Sequence, residues 1–106
     1  MKELTPEALQ QVLRSAARPP QLLDVREPYE FEICWITGAI NIPMRDVPSR
    51  LDELDADTDL VVICHHGGRS MRVAMFLEQH GFANVINLQG GVDAWARSVD
   101  PDMPTY

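Results

Sequence analysis

At 106 residues, 45% hydrophobic and 24% charged, the chain has the size and composition of one soluble domain, 1–106, able to bury a core without disulfide staples. A net charge of −7 with no clustered basic residues excludes a general nucleic-acid or membrane-surface binder. No apolar run reaches transmembrane length, no signal-peptide pattern opens the sequence, and Cys34 and Cys64 form no CxxC pair, so a cytoplasmic setting with reduced thiols is expected.

In chain order, Thr5-Pro6-Glu7 is a helix start: a hydroxyl N-cap, proline at the first helical position and an acid in the first turn. Ala8, Leu9, Val12, Leu13 and Ala16 recur at helical spacing until Pro19-Pro20 end the segment. Gln21 to Arg26 is a short apolar run stopped by charge, which predicts a buried strand. Glu27 to Glu32 predicts a short helix or helical turn. Gly38 to Pro43 reads as a strand closed by proline, Ser49 to Leu54 as a short helix, and the acidic stretch to Asp59 as a solvated turn.

Leu60 to Ile63, rich in β-branched residues, is the most strand-like run. After a loop from Cys64, a helix carries Val73, Phe76, Leu77 and His80 as a buried stripe, capped by Gly81. Val85 to Leu88 is the next strand. Gly90-Gly91 lead into a helix holding Val92, Trp95 and Ala96, with Trp95 in the core, and Pro101 and Pro104 mark a tail. Strands and helices alternate with short connections, which implies an α/β fold with a parallel sheet covered by helices on both faces. In such sheets ligands bind beyond the carboxyl ends of the strands, where Cys64 falls.

Cys64 is the candidate nucleophile. It stands between a strand and Cys64-His65-His66-Gly67-Gly68-Arg69-Ser70, whose backbone N–H groups can form a ring that favours a thiolate and holds anions beside it. Gly67 and Gly68 can take positive φ and turn successive N–H groups inward. Arg69 has two readings of equal weight, a holder of a substrate oxyanion or a structural partner of a carboxylate. His65 and His66 are read as outward-facing rim residues, one of which could add positive potential when protonated. Three consecutive side chains do not converge easily on one ion, so no Cys64-His65-His66 metal site is expected. Ser70 is read as the cap of the following helix. Asp24 and Arg26 are read as a structural charge pair, and Cys34, among Phe31, Ile33, Trp35 and Ile36, as a buried inert thiol.

Four stretches together resemble the single-domain rhodaneses of the sulfurtransferase superfamily. They are Asp24-Val25-Arg26-Glu27-Pro28-Tyr29-Glu30-Phe31, Gly38-Ala39-Ile40-Asn41-Ile42-Pro43, the Cys64 loop with Arg69-Ser70, and Gly90-Gly91 followed by Trp95. The resemblance implies a rhodanese-like, five-stranded parallel sheet and Cys64 as the residue that takes sulfane sulfur. It further implies a donor such as thiosulfate, a persulfide on Cys64, a thiophilic acceptor such as cyanide, a thiol or a protein, and no cofactor or metal. The substrate-binding residues expected on this basis are His65, His66, Gly67, Gly68, Arg69 and Ser70.

The sequence departs from the family at Trp35 and Thr37, where histidine and proline are usual; an exposed Trp35 would suggest a pocket wall or partner contact. Two alternatives stand beside the sulfurtransferase. One is a phosphatase or arsenate reductase, which uses an arginine six residues after the cysteine; here Ser70 holds that place and Arg69 comes one residue sooner. The other is a weakly active persulfide carrier or protein-interaction module.

Overall fold

The computed structural model describes residues 1–106. Its strands are β1 (Lys2–Leu4), β2 (Gln21–Asp24), β3 (Ile40–Asn41), β4 (Leu60–Ile63) and β5 (Val85–Leu88). Its helices are α1 (Pro6–Ser15), α2 (Pro28–Ile33), α3 (Gly68–Gln79) and α4 (Gly91–Ser98). The strands form one sheet in the order β1-β5-β4-β2-β3, every pair parallel. The five-stranded parallel sheet and its helical covering are thus as expected.

Side-chain alternation along β4 divides the core in two. Leu60, Val62 and Cys64 face Val73, Ala74 and Leu77 of α3, while Val61 and Ile63 face Leu9 of α1 and Val92, Trp95 and Ala96 of α4. All four β4 residues are buried, which is why the strand reads as an unbroken apolar run. Helices α3 and α4, which follow adjacent strands β4 and β5, therefore leave toward opposite faces. The crevice between those two strand ends is where an α/β sheet places its ligand, and Cys64 opens it.

Local signals explain most element ends. The Thr5 side chain accepts the N–H of Ala8 at 3.2 Å and Pro6 takes the first turn of α1. Gly81, at φ +92°, turns the chain out of α3. Two local readings are corrected, and one strand is added. The segment around Ser49–Leu54 is two 3-10 turns, Met44–Ser49 and Leu51–Glu53, because Pro48 lacks the N–H a longer helix needs. His80 is exposed at the end of α3, its ring stacked on Phe76 at 4.0 Å, so the buried stripe stops at Leu77. The edge strand β1 has no sequence signature of its own: three residues, two of them charged and exposed, cannot display an apolar alternation.

Candidate active site

Cys64 is 1% exposed, one residue past β4, and keeps the inward register of Leu60 and Val62. Its Sγ accepts the N–H of Gly67 at 3.0 Å. Gly67 adopts φ +105°, a left-handed conformation that folds the loop back over the sulfur and starts α3. The helix begins at Gly68, two residues earlier than Ser70, and Gly68 itself is helical rather than left-handed. Gly68, Arg69 and Ser70 therefore hold first-turn N–H groups that have no carbonyl partner within the helix. These groups, with the positive end of α3, form an anion-favouring wall beside the thiol.

Ser70 does not cap α3. It is fully buried, its Oγ lies 3.3 Å from Cys64 Sγ, and its hydroxyl donates to Asn87 Oδ1. Asn87 is a buried polar residue on β5, tied in turn by its amide to Glu3 Oε2 at 3.1 Å and to Gly67 O at 3.3 Å. A side-chain relay thus runs from edge strand to sulfur. Behind the loop, Val92 N–H donates to Cys64 O at 2.9 Å and Asp93 N–H to His65 O at 3.1 Å. Gly91, at φ +60°, is what permits this approach: a Cβ there would collide with the carbonyls of Cys64 and His65.

Arg69 takes the structural one of its two readings. Its guanidinium donates in a fork to Glu30, Nη1 to Oε1 at 2.7 Å and Nη2 to Oε2 at 2.9 Å, with the carboxylate only 6% exposed. Glu30 Oε1 also accepts Glu27 N–H at 3.0 Å, and Oε2 accepts the Tyr106 hydroxyl at 2.8 Å. The hydrogen bonds from Arg69 dominate and hold the Glu30 carboxyl down at about 2, well below the usual range. The same carboxylate raises the pKa of Arg69, keeping the guanidinium charged.

Under this pair lies a second, wholly enclosed one. Asp24 and Arg26 are both 0% exposed, joined by Nη2–Oδ2 at 2.6 Å and by Nε to both carboxylate oxygens. The rest of the guanidinium is used as well: Nη2 donates to Cys34 O at 2.7 Å, Nη1 to Glu30 O at 3.2 Å and to Tyr106 Oη at 3.0 Å. The pair anchors the chain after β2 rather than supplying acid–base chemistry. Cys34 is buried at 3% exposure, with Arg26 Nη1 3.7 Å from its Sγ.

The histidines differ from the expected outward pair. Only His66 is exposed; His65 is half-buried, its ring stacked on Tyr106 at 3.9 Å and 8° and against His66 at 3.9 Å. Burial, with His66 beside it, lowers the pKa of His65 and so disfavours the protonated, positively charged ring. One ring nitrogen of each histidine and a carboxylate oxygen of Asp93 lie within 4.8 Å of one another. Trp35 is 52% exposed, its ring 6.0 Å from that of Phe31.

Glu30, Asn87, Gly91 and Tyr106 are the site residues that the sequence reading missed. The one available signal was the spacing of Glu30 three residues after Glu27, which the structure shows as a capping box at the start of α2.

A buried cysteine at the carboxyl end of a central parallel strand, folded against the start of the next helix, points to a class of protein, and comparison with known proteins identifies it. Residues 5–98 match the family model of the rhodanese-like domain, and the chain belongs to that family. It is 43% identical over 90 residues to the rhodanese-like/PpiC domain-containing protein 12 of Arabidopsis thaliana, covering 81% of this chain but only 30% of that protein's length. It is 35% identical over 100 residues to the thiosulfate sulfurtransferase GlpE of Pseudomonas aeruginosa, covering 94% of this chain and 87% of the relative. A crystal structure of a rhodanese-like domain protein from Staphylococcus aureus superposes with a TM-score of 0.85 at 29% identity, over 100% of this chain and 99% of that one. No helix is long and apolar enough to cross a membrane.

Proposed function

We propose that the chain is a sulfurtransferase that carries sulfane sulfur on Cys64. The observation that carries this reading is the placement of the Cys64 sulfur against the Gly67 N–H and the first turn of α3. In the first step the Cys64 thiolate attacks the outer sulfur of thiosulfate. The S–S bond breaks with its electron pair leaving on sulfite, and Cys64 becomes a persulfide anion. In the second, a thiophile such as cyanide attacks that outer sulfur, leaves as thiocyanate and returns the thiolate. No proton is transferred in either step, so no general acid is needed, and the arrangement supplies none.

The loop N–H groups suit both the terminal sulfur of the persulfide and the departing sulfite. The hydroxyl of Ser70, between sulfur and Asn87 Oδ1, can turn its proton from the amide to a thiolate. Arg69 holds the loop through Glu30. This occupied arginine weighs against the phosphatase reading, in which the arginine must wrap the oxyanion. His65, His66, Gly67, Gly68, Arg69 and Ser70 line the donor's place, and two free cysteines accord with a reducing, cytoplasmic setting.

A second reading, a persulfide carrier serving a protein partner, is favoured by the exposed rings of Tyr29 and Trp35, 66% and 52% accessible. Intact mass spectrometry after incubation with thiosulfate tests the chemistry. The expected result is a gain of one sulfur on the protein, removed by cyanide and absent from Cys64→Ser. Transfer retained by a folded Cys64→Ser protein would overturn it.

A further inference from the structure

We propose that Tyr106 is a positioning residue that fixes the Cys64 loop at both of its ends, an inference that rests on the sulfurtransferase reading only for its kinetic test. The segment after α4 returns across the carboxyl ends of the strands, with Met103 buried in the α1/α4 core. Its last side chain then meets the loop in two ways. The Tyr106 ring lies flat on His65, the residue immediately after the nucleophile, at 3.9 Å and 8°. The hydroxyl donates to Glu30 Oε2 at 2.8 Å, the same oxygen that takes Arg69 Nη2.

One phenol therefore restrains His65 directly and Arg69 through one carboxylate. Its hydroxyl is itself held by Arg26 Nη1 at 3.0 Å, a group that belongs to the enclosed Asp24–Arg26 pair. The loop is thus referred to a fully enclosed charge pair rather than to solvent. The N–H groups of residues 65–70 stabilise an anionic sulfur only while they are aimed before the charge develops, so a restraint on both arms acts on the rate of transfer more than on donor capture. Tyr106 touches neither sulfur nor donor; it acts through His65 and Glu30.

The test uses the full chain with Tyr106→Ala and Tyr106→Phe. Thiosulfate-to-cyanide transfer is measured with kcat and KM separated, and amide hydrogen exchange is followed at residues 65–70. Tyr106→Ala is expected to lower kcat about tenfold with KM changed less than about twofold, as for loss of a charge-assisted hydrogen bond together with a stacking restraint. Tyr106→Phe, which keeps the stack, restores kcat to within about threefold. Exchange at residues 65–70 quickens in both variants, more in alanine. A folded Tyr106→Ala protein with parental kcat and parental exchange overturns the proposal. Should the alanine variant not fold, parental kcat and exchange in Tyr106→Phe overturn it instead. Should the parent take no sulfur on Cys64, the functional reading fails, and exchange alone decides the positioning role.

Discussion

Replacing Glu30 by glutamine removes one charge and almost no volume, so its effect isolates the electrostatics of the site's outer pair. The carboxylate accepts four hydrogen bonds, from Glu27 N–H, both Arg69 nitrogens and Tyr106. A glutamine offers one oxygen and turns an NH₂ toward donors. With its carboxyl held at about 2 against an ordinary 4.5, the native residue contributes about 3 kcal/mol at neutral pH. The sign follows from the depressed value. The contribution is complete above pH 4.5, where the unfolded chain is also ionised, and is lost as pH falls through the folded value near 2.

At pH 3 linkage leaves about half of it, roughly 1.5 kcal/mol. Urea unfolding of parent and Glu30→Gln at pH 7, 5 and 3 should therefore give a stability gap of about 2–3 kcal/mol at the two higher values, shrinking by about half at the lowest. A gap of the same size at pH 3 as at pH 7 would refute the electrostatic account. Equal stability at pH 7 would refute the assignment of Arg69 as a structural partner.

Two further substitutions probe the scaffold. Asp24→Ala strands the Arg26 guanidinium in a fully enclosed place, a loss of about 3–5 kcal/mol; thermal melting should show a marginal or unfolded chain, and a shift under a few degrees would contradict it. Gly91→Ala forces a Cβ onto the carbonyls of Cys64 and His65 at a left-handed φ. It should cost at least about 2 kcal/mol by denaturant melts and slow sulfur loading by mass spectrometry, and parental behaviour in both would count against the tight packing of α4 on the loop.

The parts of this site that lie together in sequence were legible there. Strand, cysteine, glycines and helix occupy one contiguous stretch, and their order points to a thiol beside backbone N–H donors, while sulfur transfer entered only through the family resemblance. The α/β alternation was equally plain, because buried parallel strands leave unbroken apolar runs such as Leu60 to Ile63. What stayed hidden is pairing across distance. Glu30 lies 39 residues before Arg69, and nothing in either segment says that two opposite charges meet. Asn87 sits in a strand of apolar neighbours, and nothing local marks its side chain as part of a polar relay. Tyr106 belongs to a stretch of prolines that reads as a tail, since local rules describe how a chain leaves a helix and not where it comes back. Trp35 was the exception, since its departure from the family pattern drew notice and the structure leaves it exposed.

The position of β1 carries a consequence for the order in which the chain assembles. Its three residues precede the other four strands in sequence, yet their only ladder partner is β5, at Ile86 to Leu88. Closing that span is possible only after nearly the whole sheet exists, so the first strand made is among the last to dock, and the flank of β5 stays open to foreign strands until it does. Glu3 then completes the relay through Asn87 and Ser70 to the sulfur. Before β1 docks, the core can be in place while the last support beneath Cys64 is still missing. The setting of Cys64 is in this sense a late event, timed by an edge rather than by the loop around it.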